Sequence, residues 1–242
     1  METHEISLTG GRITNGVVRV GNTVRRPLNG NSWFAHKLLI HLEHSCFKGA
    51  PRFLGIDHKQ REILTYIEGC VPDKLATWLP YQLVASVRLM RQFHDTAASS
   101  LLRGEAEVVC HGDLSPCNTV FQNDLPVAFI DFDNAGPGSR LDDLAYAAWL
   151  WLCIGDPERE PVELGRRLAL FTQAYGWGAQ DEIIPALLAA QERLYRQALA
   201  NATEYAQSTA VWAAECRQWV AKHRARLACG LASGYQAMDG IT

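Results

Sequence analysis

His111-Gly112-Asp113-Leu114-Ser115-Pro116-Cys117-Asn118, followed further on by Ile130-Asp131-Phe132-Asp133, is the stretch on which the reading of this 242-residue chain turns. Val108–Cys110 before it, and Thr119–Phe121 and Val127–Ile130 within it, are short runs of strand-forming residues. The turn Gln122–Pro126 separates the last two, so they are expected to form an irregular hairpin. Asp113 then follows one strand, Asn118 precedes the next, and Asp131 ends the returning strand. A short loop carries a carboxylate and a carboxamide toward the point where a second carboxylate emerges.

Oxygen donors gathered at one end of a rigid element suit phosphoryl transfer. That chemistry needs one carboxylate to orient the attacking hydroxyl and accept its proton. It also needs hard oxygen ligands for a magnesium ion bridging the phosphates of a nucleotide. Asp113 fits the first role, and Asn118 and Asp131 fit the second. Taken singly, each is a loop side chain that caps a helix or satisfies a turn. The joint pattern points to function: His-Gly-Asp, Asn five residues on, and Asp-Phe-Asp thirteen beyond that.

Outward from this stretch the chain has two textures. Toward the N-terminus, Glu5–Leu8, Val17–Val20, Thr23–Arg26, Arg52–Gly55 and Glu62–Ile67 read as short strands. One helix interrupts them, Trp33–Ser45, where Leu38, Leu39 and Leu42 make an apolar stripe and Gly49 and Pro51 follow as stop signals. Beyond Gly69, Tyr81–His94, Leu144–Cys153, Pro161–Tyr175, Asp181–Ala206 and Val211–Leu231 are long, apolar-periodic and helical. The expected fold is α+β: a small antiparallel sheet lobe over residues 1–69, and a larger, mainly helical lobe over 70–242 that carries the catalytic loop and the acceptor site.

The segment resembles the catalytic and metal-binding loops of the aminoglycoside phosphotransferase and choline kinase family, relatives of the protein kinases. The likeness is clearest from Cys110 to Ala145, where Asp142-Asp143-Leu144-Ala145 resembles that family's structural aspartate at a helix start. It implies a protein-kinase-like fold, ATP or GTP as phosphate donor, magnesium as cofactor, and a small-molecule acceptor such as an aminoglycoside or an amino alcohol. Asp113 would be the catalytic base, Asn118 and Asp131 the magnesium ligands, and His111 and Asp143 supports of the loop. Asp133 could meet a second ion or the substrate, or be solvated.

The same resemblance assigns the nucleotide's other contacts. Arg26 stands where the family carries a lysine on its third strand, with Arg25 the competing candidate because strand neighbours face opposite ways. A planar fork thereby replaces a compact point charge. The run Ile63–Gly69 resembles the family's hinge, with Thr65 and Ile67 as the main-chain contacts to the purine. The loop Thr9–Asn15 would lie over the phosphates, although its Gly10-Gly11 is not a full glycine-rich motif. The glutamate that the family places on the following helix is missing: its position falls at Ala35 or His36. Without the ion pair that this glutamate makes, either Arg26 is positioned by another partner or the lobe is poorly ordered when empty.

Composition narrows the field further. With 26 acidic against 23 basic residues and no long basic block, nucleic acid is not an expected partner. No run approaches the roughly 20 apolar residues that cross a bilayer, and Met1–Leu8 is polar, so no membrane association and a cytoplasmic location are expected. The seven cysteines include no C-x-x-C pair and are expected mostly as buried reduced thiols. Trp149, Trp151, Trp177, Trp212 and Trp219 could cage a quaternary ammonium, but at helical spacing they read as core. No oligomeric state is implied. Two rival readings follow from the same residues: a catalytically silent kinase-fold nucleotide-binding protein, and a metal-dependent hydrolase built on Asp113, Asp131 and Asp133.

Overall fold

The computed structural model describes residues 4–8, 16–201 and 203–239. The loop Thr9–Asn15, expected above the phosphates, lies outside the described residues.

Five N-terminal strands form one antiparallel sheet: β1 (Glu5–Ser7), β2 (Val18–Val20), β3 (Thr23–Pro27), β4 (Phe53–Ile56) and β5 (Arg61–Thr65), in the order β1-β2-β3-β5-β4. The strands are short because turn residues close each run, and alternation sets their faces. On β5, Glu62 and Leu64 share the buried side. Helix α1 (Ser32–His44) joins β3 to β4 and buries Ala35, Leu38, Leu39 and Leu42, the i, i+3, i+4, i+7 stripe of an amphipathic helix.

The chain divides into two compact units, one made of Met1–Lys74 with Leu89–Arg140, the other of Leu75–Arg88 with Leu141–Thr242. Cys70 and Phe121 exchange both main-chain hydrogen bonds, at 2.9 and 2.8 Å, tying the chain that leaves β5 to the strand around Phe121. Gln122 Nε2 adds a bond to the Glu68 carbonyl at 2.7 Å.

Within the first unit, β6 (Val108–Cys110) pairs with β9 (Gly136–Gly138), which the sequence reading did not anticipate, and β7 (Thr119–Gln122) with β8 (Leu125–Phe129). The hairpin turn is tighter than expected. Asn123 and Asp124, with φ of 48° and 64°, form a two-residue loop whose left-handed pair matches the twist of the strands.

The second unit holds the start of α2 (Pro80–Ala97), most of α3 (Arg140–Leu152), and α4 (Pro161–Tyr175), α5 (Ile183–Leu199) and α6 (Glu204–Asp239). Asp181–Ala206 is not one helix. Thr203 breaks it by accepting the Ala206 N–H on Oγ1 at 3.2 Å and the Gln207 N–H on its carbonyl at 3.0 Å, which starts α6 afresh. α6 also runs past Leu231, because Gly230 serves packing rather than termination. A Cβ there would lie 2.0 Å from the Val162 carbonyl oxygen, and one at Gly165 would lie 2.3 Å from that of Leu227, so α4 and α6 touch backbone to backbone. Trp149, Trp151 and Trp219 are core residues, and Trp149 stacks on the partly exposed Trp212 at 4.6 Å.

Of the seven cysteines, all free, only Cys110 and Cys216 are buried; Cys46, Cys70 and Cys229 are exposed, which corrects the expectation that most would be internal. Burial pushes the Cys216 thiol up to about 11. No helix among the described residues is long and apolar enough to cross a membrane.

Candidate active site

The site is built from the loop between β6 and β7 and the chain that follows β8, all within the first compact unit. Gly112 opens the loop with φ of +81°, and a Cβ there would meet the Asn134 carbonyl oxygen at 2.3 Å. Only glycine allows both the turn and that approach. His111 is fully buried and fixes the loop from both ring nitrogens. Nε2 donates to the Ile130 carbonyl at 3.1 Å, and Nδ1 accepts the Asp113 main-chain N–H at 3.3 Å. Its ring lies 4.4 Å from that of Phe132, itself buried, so apolar packing keeps water from this support.

Asp113 and Asn118 meet directly. The Asn118 amide donates from Nδ2 to the Asp113 carboxylate (Oδ2, 2.8 Å) and to the Asp113 carbonyl (3.1 Å). The amide nitrogen is thereby the part of Asn118 that faces Asp113. The Asn118 carbonyl in turn accepts the Ile130 N–H at 2.9 Å, which sets Asn118 beside the start of Ile130-Asp131. Asp131 holds a left-handed backbone, φ 68° and ψ 63°, as the residue before a turn of 3₁₀ helix over Phe132–Asn134. Aspartate tolerates that conformation better than most side chains, and here it turns the carboxylate out of the hairpin.

Arg26 is buried and makes one contact with each part of its fork. Nε donates to Glu62 Oε1, Nη1 to Asp131 Oδ1 at 2.8 Å, and Nη2 to Asp133 Oδ1. Burial alone would lower its pKa, but Glu62, then Asp133 and Asp131, outweigh that and raise it. Arg25 turns to the opposite face, where its Nε lies 3.8 Å from Asp57. The structure thus brings Asp113 to Asn118 and Arg26 to Asp131. Thr65 and Ile67 lie on the strand pairing with β3 and on its continuation. The Thr65 N–H is engaged by the Arg52 carbonyl at 3.0 Å, whereas the Ile67 main chain makes no hydrogen bond among the described residues.

Three residues escaped the sequence reading. Glu62 is the partner that the missing helix glutamate left open. Its signal was an acid in phase with Leu64 on the inward face of β5. His36, at the position where that glutamate was sought, donates from Nε2 to Glu62 Oε2 at 2.6 Å. Asn31, just before α1, donates from Nδ2 to the carbonyls of Asp133 (2.8 Å) and Ala135 (2.9 Å).

The donor set fits a magnesium ion. Asn118 Oδ1 and the Asp131 carboxylate are hard oxygens, and three carboxylates around the single Arg26 guanidinium leave an excess of negative charge that a divalent cation would neutralise. Among the described residues no cluster of three His, Cys, Asp or Glu side chains is placed to hold a metal, so a carboxamide and waters or phosphate oxygens would have to complete the shell.

Residues 44–183 match the model of the family described as the phosphotransferase enzyme family, well over half of the chain. The chain belongs to that family. Its relatives include the trifolitoxin immunity protein of Rhizobium leguminosarum bv. trifolii, 32% identical over 94% of this chain and 99% of the relative. Solved structures of the same fold include choline kinase from Cryptosporidium parvum Iowa II (TM-score 0.60, 12% identity, 95% of this chain and 92% of that one). The aminoglycoside phosphotransferase APH(2")-IIia in complex with GDP and kanamycin is similar as well (TM-score 0.57, 15% identity, 90% and 93%). At these identities the structures speak for the fold alone. This member of the phosphotransferase family is a kinase-like enzyme with a protein-kinase-like α+β fold.

Proposed function

We propose that the protein transfers the terminal phosphate of ATP or GTP to a hydroxyl of a small molecule, of the aminoglycoside or amino-alcohol kind. The observation that carries this reading is the Asp113–Asn118 hydrogen bond of 2.8 Å, on a loop whose main chain is bonded to the residue before Asp131. Asp113 orients the acceptor hydroxyl and takes its proton. Asn118 and Asp131 would hold magnesium, which when bound supplies charge neutralisation across the transferring phosphate. Arg26 offers its guanidinium to the phosphates, and the main chain at Thr65 and Ile67 reads the purine. Residues 1–69 form the nucleotide lobe and 70–242 the catalytic and acceptor lobe, in a protein of the cytoplasm that uses neither membrane nor nucleic acid.

The immunity protein that is 32% identical over almost its whole length favours a second, compatible reading: the acceptor is a toxin, and phosphorylation disarms it. One experiment separates the possibilities. Purified protein, magnesium and radiolabelled ATP or GTP are incubated with aminoglycosides, choline, ethanolamine and trifolitoxin, and label transfer is followed. Transfer to one class of acceptor is expected. Nucleotide-dependent thermal stabilisation with no transfer to any acceptor or to water would instead mark a silent kinase fold.

A further inference from the structure

We infer that Glu62 and His36 are positioning residues: together they aim the Arg26 guanidinium from inside the sheet, in place of a carboxylate on α1. The inference rests on the nucleotide-dependent reading above. Arg26 and Glu62 are register partners on neighbouring strands, and on this side of the sheet their side chains are also ion-paired. Glu62 is fully buried, and each of its oxygens has its own partner: Oε1 takes Arg26 Nε, and Oε2 takes His36 Nε2 at 2.6 Å. His36 is buried too, and its ring stacks on Phe53 at 3.8 Å with 16° between the planes. A strand, β3, and a helix, α1, thus each supply one partner to the carboxylate, and Phe53 of β4 backs the histidine.

The division of labour within the fork follows. Because Nε is held from behind by Glu62, the two terminal nitrogens project together toward Asp131 and Asp133. An arginine can be gripped at Nε and still present two donors ahead, whereas a lysine has a single ammonium for both tasks. The lysine-to-arginine change and the missing helix carboxylate are therefore one substitution made in two places, with the acid moved from the helix to β5.

The test measures nucleotide affinity and steady-state kinetics together on the full chain. Glu62→Gln keeps the shape but drops the charge that grips Nε. It is expected to raise both the nucleotide dissociation constant, measured with magnesium by calorimetry, and the nucleotide KM by about tenfold or more, the scale of one charge-assisted hydrogen bond. The acceptor KM stays where it was, a split that mere loss of folded protein would not produce. Should Glu62→Gln fail to fold, His36→Gln decides: it leaves both charges in place and is expected to weaken nucleotide binding about threefold. Parental nucleotide affinity in a folded Glu62→Gln, or in His36→Gln where that variant decides, overturns the inference. A parental protein that binds neither ATP nor GTP sinks the proposed function and this inference with it, so the two failures look different.

Discussion

The main-chain N–H of Asp113 donates to Nδ1 of His111, 3.3 Å away, so the proposed base and the histidine two residues before it move as one piece. Because Nε2 of the same ring is committed to the Ile130 carbonyl, His111 spans the loop and the strand that delivers Asp131. Both ring nitrogens are thus committed to holding the loop.

Asp113→Asn is expected to lower kcat by about 10²- to 10⁴-fold, the range for loss of a general base, while the nucleotide dissociation constant stays near the parental value. Turnover at the parental rate would remove Asp113 from the mechanism.

Asp131→Asn acts on binding instead. It takes away the carboxylate expected to hold magnesium and one of the three acids around Arg26. Nucleotide affinity measured across a magnesium titration should fall about tenfold or more at low magnesium. An unchanged magnesium dependence would reassign the ligand.

Gly112→Ala probes the loop itself. The new methyl would meet the Asn134 carbonyl oxygen at 2.3 Å, at a φ of +81°. A destabilisation of about 1–3 kcal/mol is expected in urea melts, with transfer falling because Asp113 is displaced. A variant as stable and active as the parent would show that the loop has room to move.

A pH-dependent test lies on the edge strand of the sheet. Arg61 above all, and then Lys59, hydrogen-bond Glu5 and hold its carboxyl down to about 2, against an ordinary 4.5. A lowered carboxyl stabilises the fold fully above its unfolded value, and that stability is lost as pH falls through the folded one. The stability gap between the parent and Glu5→Gln should therefore be constant above about pH 4.5 and close as pH falls toward about 2. A gap that persists below pH 2 would mean that Glu5 contributes through packing rather than charge.

How far the sequence could be read depended on whether a residue's role was local. The N-terminal strands, α1 and the nearness of Asn118 to Asp113 were legible because turn residues, periodicity and spacing are properties of neighbouring positions. Glu62 was not, because its role exists only once β3 and β5 are in register and His36 is brought over them by α1. The single helix expected over Asp181–Ala206 failed for a similar reason. Leu199 and Ala200 give no stop signal, and the break comes from Thr203 capping the next helix. Nor could Arg25 and Arg26 be told apart until Asp57 was found on one face and Glu62 on the other.

The paired bonds between Cys70 and Phe121 have a mechanical corollary. They fasten the sheet to the β7–β8 hairpin just past Ile67, and a further main-chain bond, from the Phe129 N–H to the Gly49 carbonyl at 2.9 Å, fastens the same hairpin to the segment between α1 and β4. Two separated rivets resist the turning that a single pin would permit, so the span from Arg26 to Asp131 is bridged between fixed banks.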